Sequence, residues 1–133
     1  AEYGATTGRP RRCGWLDMAA LRFSVRVNGI TALAITKLDV LTGQETVKIC
    51  TAYRKDGQQL DAPPYDDLDD LQPVYESFPG WSESLKDCKS LSELPAATRR
   101  YVEAIEEYAG CKAWIIGVGA GRDHSIITHD PFV

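Results

Sequence analysis

The stretch Gly4-Ala5-Thr6-Thr7-Gly8-Arg9-Pro10-Arg11-Arg12 concentrates two glycines, two hydroxyls and three guanidinium groups. Glycine lets a backbone approach a ligand closely, hydroxyls donate to anions, and arginine presents a planar fork that matches carboxylates and phosphates. Pro10 stiffens the segment and, by alternation, keeps Arg9 and Arg11 pointing the same way. Anion binding is the chemistry expected; a solvated basic turn is the alternative. A second group, Thr36-Lys37-Leu38-Asp39, follows an apolar run at 30–35. A carboxylate at the end of a buried strand sits where open α/β sheets bind ligands. One Asp can accept from both the N1–H and the 2-amino group of guanine, a donor pair that adenine lacks. A lysine two residues earlier can lay its stem along the base; a strand-end salt bridge is the alternative. The third group is Gly117-Val118-Gly119-Ala120-Gly121. It fails the Gly-x-Gly-x-x-Gly spacing by one residue and no helical pattern follows, so dinucleotide binding of that kind is not expected. Amides of a strand-end loop meeting a base edge, or a plain turn between strands, are the readings left.

These loops need elements to hold them. Asp17 is placed to cap a helix carrying Met18, Leu21 and Val25, which Asn28-Gly29 ends. The run at 30–35 has strand length and no strict alternation, as expected of a strand buried on both faces. Thr42-Gly43 turns the chain into a half-exposed strand at 47–53, and Lys55-Asp56-Gly57 predicts a hairpin. The segment 61–73 is acidic and proline-bearing. Asp66, Asp67, Asp69 and Asp70 lack the order of a calcium loop and read as a solvated surface. A strand at 74–78 stops at Pro79-Gly80. Pro95, with Ser92 ahead of it, opens a helix to about Ala109 with the stripe Leu94, Thr98, Tyr101, Val102, Ile105 and Tyr108, and Gly110 ends it. A buried strand at 113–116 leads into the third glycine group, and 124–128 can return as a closing strand. Trp114, three residues before Gly117, is expected to report on an occupied base pocket.

The chain has 133 residues, 44% hydrophobic and 26% charged, which suits one ordinary domain. Fifteen Lys and Arg against nineteen Asp and Glu give a net charge of -4, which argues against a generally basic nucleic-acid or membrane binder. No apolar run approaches a spanning length of about 20 residues, and no signal-peptide pattern opens the chain. Cys13, Cys50, Cys88 and Cys111 form no Cys-x-x-Cys pair, and only His124 and His129 could join them, so structural zinc is not expected. Reduced thiols in a cytosolic protein are the expectation. The chain has no initiator Met, and only Glu2 and Tyr3 precede the first glycine loop as the tail of a supporting strand. A piece of a longer protein is expected.

Taken in order, Gly-Ala-Thr-Thr-Gly-Arg-Pro-Arg-Arg-Cys-Gly-Trp-Leu-Asp from Gly4, Thr-Lys-Leu-Asp-Val-Leu from Thr36, Pro79-Gly80-Trp81 and Asp130-Pro131-Phe132 closely resemble the adenylosuccinate synthetase family. The second motif is also similar to the Asn-Lys-x-Asp element of GTP-binding proteins, departing at Thr36. The resemblance runs over 4–132 and corresponds to about the C-terminal third of such an enzyme. It implies an α/β fold: part of a mostly parallel sheet flanked by helices, with a small antiparallel element, P-loop-NTPase-like. The implied function is purine biosynthesis. The family joins IMP to L-aspartate with GTP, first phosphorylating the IMP 6-oxygen and then displacing phosphate with the aspartate amine. Carried over, Ala5, Thr6, Thr7, Gly8, Arg9, Pro10 and Arg11 would bind aspartate, and Arg9 would also meet IMP. Arg11, Lys37, Leu38, Asp39, Gly117, Val118 and Gly119 would bind GTP. The family's phosphate loop, catalytic Asp and His and Mg2+ ligands would lie upstream, so this segment holds no catalytic or metal residue and alone should be inactive. A cytoplasmic homodimer, without nucleic-acid or membrane partners, is implied for the full-length enzyme. A free-standing guanine-nucleotide module without catalysis, or a ligandless structural fragment, are the other readings.

Overall fold

The computed structural model describes residues 2–64, 68–130 and 132. Asp66 and Asp67 of the acidic stretch, and Pro131 of the Asp-Pro-Phe motif, lie outside the described residues. The elements run β1 (Leu16–Asp17), α1 (Met18–Asn28), β2 (Ala32–Ile35), β3 (Thr46–Lys55), β4 (Gln58–Leu60), β5 (Gln72–Pro79), α2 (Ala96–Ala109), β6 (Lys112–Gly117) and β7 (Ser125–Ile127).

Both helices begin and end for local reasons. Asp17 is extended, and its Oδ1 accepts from the Ala20 N–H at 2.9 Å, satisfying a donor that the first turn leaves open. Its Oδ2 accepts from the Tyr53 hydroxyl, so one carboxylate caps α1 and ties it to β3. Burial and the neighbouring Asp17 push the Tyr53 hydroxyl up, which keeps it a donor. Gly29 closes α1 at φ 60°, a left-handed conformation that glycine adopts without a Cβ clash. In α2 the expected stripe is buried at Leu94, Thr98, Tyr101, Val102 and Ile105, with Tyr108 half-buried. Pro95 stands at the cap, one residue before the helix, and Ser92 bonds to Ser90 rather than to the helix.

The strands form two mixed sheets. In the first, β3 pairs parallel with β1 and antiparallel with β4 and β5. In the second, β6 pairs parallel with β2 and antiparallel with β7. Antiparallel pairing is therefore a larger share of the described strands than the small element expected, because β5 runs along most of the ten-residue β3. The expectation that both faces of the 30–35 strand are buried also fails. Ala34 is exposed and Ala32, Leu33 and Ile35 are half-buried, since among the described residues β2 pairs on one side only, with β6. One core joins the layers: Met18, Val47, Ile49 and Phe78 meet Trp81, Leu85, Tyr101, Val102, Ile116 and Ile126. Tyr101 packs edge-on against Phe78, ring centroids 6.0 Å apart, and burial pushes its hydroxyl up to about 12.

Candidate functional site

The parallel pairing of β2 with β6 brings two of the three candidate loops together. Ile35 pairs with Ile116, so both strands reach their carboxyl ends at one edge of the sheet. A Cβ on Gly117 would lie 3.5 Å from the Thr36 Cα and 3.7 Å from the Lys37 nitrogen, so the two loops leave the sheet in backbone contact. Lys37 then takes a left-handed conformation, φ 59°, which turns the chain into a 3-10 turn over Leu38–Leu41. Leu38 is buried beneath that turn and anchors it. Asp39 faces a cavity of about 510 Å3 that Val118, Gly119, Ala120 and His124 line from the other loop.

A third wall of this cavity comes from Ser82, Ser84, Leu85 and Lys86, a segment to which the sequence assigned no role. It is held by Pro79-Gly80-Trp81. The Gly80 N–H donates to the Glu45 carbonyl at 2.9 Å, the Gly43 N–H donates to the Trp81 carbonyl at 2.7 Å, and Trp81 Nε1 donates to Thr42 Oγ1 at 3.1 Å. A Cβ on Gly80 would fall 1.7 Å from the Gln44 carbonyl oxygen, so only glycine fits. The signal that could have found this wall is the Pro-Gly-Trp triplet, a glycine beside a large aromatic at a strand end. Trp114, expected to report on the pocket, packs on His129 with ring centroids 4.2 Å apart and does not line the cavity, whereas Trp81 bonds to Thr42, which does.

The first loop is a tight, exposed hairpin. Tyr3 bridges Pro10, the Gly4 N–H donates to the Arg9 carbonyl at 2.9 Å, the Gly8 N–H donates to the Gly4 carbonyl at 2.9 Å, and the Arg11 N–H donates to the Glu2 carbonyl at 2.7 Å. Thr7, Arg9, Pro10 and Arg11 line one shallow hollow of about 320 Å3 with Gly4. Ala5, Thr6 and Gly8 are exposed. Glu2, which the sequence left unassigned, joins this loop to the Asp39 loop. Its carboxylate accepts from Lys37 Nζ and lies 3.6 Å from the Arg11 guanidinium. The bond and charge of Lys37, with a smaller contribution from Arg11, hold the Glu2 carboxyl below its ordinary range. Lys37 is thus engaged with Glu2 and does not line the cavity, nor do Leu38 and Gly117.

The cavity offers a carboxylate, the hydroxyls of Thr42, Ser82 and Ser84, the Lys86 ammonium and loop amides to one flat, polar ligand. Among the described residues no group of three or more His, Cys, Asp or Glu could hold a metal. No helix among them is long and apolar enough to cross a membrane.

A family model described as adenylosuccinate synthetase matches residues 1–126. The chain belongs to the adenylosuccinate synthetase family. It is 49% identical to the adenylosuccinate synthetase of Pelobacter propionicus over 134 aligned residues, which cover 99% of this chain and 31% of that protein. Against the adenylosuccinate synthetase of Desulfosudis oleivorans the identity is 51%, with the same coverage. The chain also superposes on the fully ligated adenylosuccinate synthetase of Plasmodium falciparum with a TM-score of 0.91 at 40% identity, covering 96% of this chain and 32% of that one. The mixed sheets and two helices are therefore an adenylosuccinate synthetase fold, and the chain spans about 31% of the length of these bacterial relatives.

Proposed function

We propose that this chain is the C-terminal, guanine- and aspartate-recognising portion of an adenylosuccinate synthetase, a GTP-dependent ligase that joins IMP and L-aspartate in purine biosynthesis. The observation that carries the proposal is the shared cavity: Asp39 from one loop and Val118, Gly119 and Ala120 from the other line it together. A carboxylate facing a base-sized cavity selects guanine, whose N1–H and 2-amino group both donate, over adenine, which would leave the carboxylate unpaired. Leu38 and Gly117 support this site from below and behind. Lys37 reaches it once its ammonium exchanges Glu2 for the ligand.

Arg9 and Arg11, lining one hollow with Thr7, fit the two carboxylates of aspartate. Thr6, Ala5, Gly8 and Pro10 shape that loop, Arg9 extends to IMP, and Arg11, tied through Glu2 to Lys37, stands between aspartate and the GTP phosphates. Displacing phosphate from a 6-phosphorylated purine requires the amine and the purine to be held in line. This chain would hold aspartate and GTP. Residues of the longer protein would hold Mg2+ and supply the P-loop-like remainder of the fold, and the ion would there neutralise phosphate charge. That protein is proposed to be a cytoplasmic homodimer acting on small molecules, with neither nucleic acid nor membrane as partner, and this chain alone to be without turnover.

The test is calorimetric titration of the chain with GDP and with ADP, with tryptophan fluorescence as a second readout. Saturable binding of GDP but not ADP is expected. A folded chain that binds neither, or binds both equally, overturns the proposal.

A further inference from the structure

The His124 side chain lies against the glycine at 119, and it shares the space beside the glycine at 121 with Asp123, whose Oδ1 would be 2.8 Å from a Cβ there. A Cβ on Gly119 would lie 2.6 Å from His124 Nδ1, and one on Gly121 would lie 2.9 Å from the same atom. The imidazole is therefore seated on the loop itself. It also ties the loop shut: the Gly121 N–H donates to His124 Nδ1 at 3.0 Å, the His124 N–H donates to the Gly121 carbonyl at 3.0 Å, and the Val118 N–H donates to the His124 carbonyl at 2.8 Å. An acceptor at Nδ1 means that the ring is neutral with its proton on Nε2. Protonation would set an N–H against the Gly121 N–H and cancel that bond.

We propose that neutral His124 is the positioning residue that shapes the 118–121 wall of the base cavity, so that guanine-nucleotide affinity falls as the imidazole gains a proton. This rests on the guanine reading of the cavity. The charged groups around the ring are of both signs. The acidic ones are Asp123, whose Oδ1 lies 4.0 Å from Nε2, and Asp39, which lines the same cavity. The basic ones are Lys86, which lines that cavity, and Lys89, whose Nζ donates to the Asp123 carbonyl at 3.0 Å.

GDP affinity is measured by calorimetry from about pH 5 to about pH 8 for the unmodified chain, His124→Asn and His124→Ala, alongside 15N NMR of the imidazole. Asn places an amide oxygen close to the position of Nδ1 and does not titrate. The unmodified chain is expected to lose about tenfold in affinity as the ring protonates, the worth of one part-buried hydrogen bond. His124→Asn should hold the higher affinity across the range, and His124→Ala should be weak throughout. The NMR shifts should show an unprotonated Nδ1 at the upper end. Parallel pH profiles for the unmodified chain and His124→Asn, or a proton found on Nδ1, would overturn the role of His124 while leaving the guanine reading intact. Absence of GDP binding in all three proteins at every pH would overturn the guanine reading, and this inference with it.

Discussion

The cavity around Asp39 and the arginine hairpin at 4–12 are both loops rich in glycine and charge, yet they are held by different forces. The cavity stands on buried structure. Leu38, Leu85 and Val118 are each no more than 2% exposed, and the turn at 42–45 is pinned by three hydrogen bonds to Gly80 and Trp81. The hairpin is almost wholly exposed, closed by its own backbone bonds and tied to the rest through the Glu2 carboxylate. Exposed ion pairs contribute little and are screened by salt, whereas packed interiors resist displacement. Under the proposed function, a base would use the packed, shaped slot, and the two carboxylates of aspartate would meet the exposed arginines of the hairpin.

The largest effect that could break this contrast is Gly80→Ala. With the Gln44 carbonyl 1.7 Å from the new Cβ, the turn must move, and a loss of about 3 kcal/mol is expected in urea unfolding. A change within error would mean that the cavity is not held by packing. Next comes Asp39→Asn, which should weaken GDP binding about a hundredfold by removing a charge-assisted pair while leaving the unfolding midpoint in place. Unchanged affinity would remove Asp39 from base recognition.

On the hairpin side, Gly8→Ala meets no atom within 4 Å but must adopt φ 63°, so a cost of about 1 kcal/mol from torsion alone is expected. A loss as large as that of Gly80→Ala would show that the hairpin is packed after all. The smallest effect belongs to Glu2→Gln. Because the folded Glu2 carboxyl lies below its ordinary value of 4.5, its contribution is present above that value and is lost as pH falls through the lower folded one. Melting curves of the two proteins should differ slightly at neutral pH and low salt, and converge in acid. A difference that grows on acidification would reverse the assigned sign.

Local rules made much of the scaffold legible. Asp17 and Gly29 bound α1, Gly110 ends α2, and the α2 stripe is buried as its spacing predicts, because caps and periodicity involve residues within a few positions of each other. Lys37 and Asp39 stood out by their place after an apolar run, and both do follow the end of β2. What escaped was long-range. Glu2 meets Lys37, and Gly80 meets Gln44, only after the chain has folded. Gly119 and Gly121 read as a ligand loop from their spacing, and only the fold shows that the chain's own His124 is seated against both.

The sequence by itself determined the residue types at the cavity, the helix limits and the family, since each depends on side-chain chemistry or short spacing. Only the tertiary structure decided which loops meet. The parallel register of β2 and β6 sets Asp39 beside Gly119, and the clamp at Gly80 closes the third side. Strand partners and close packing depend on the whole set of contacts at once, and no short window of sequence contains them.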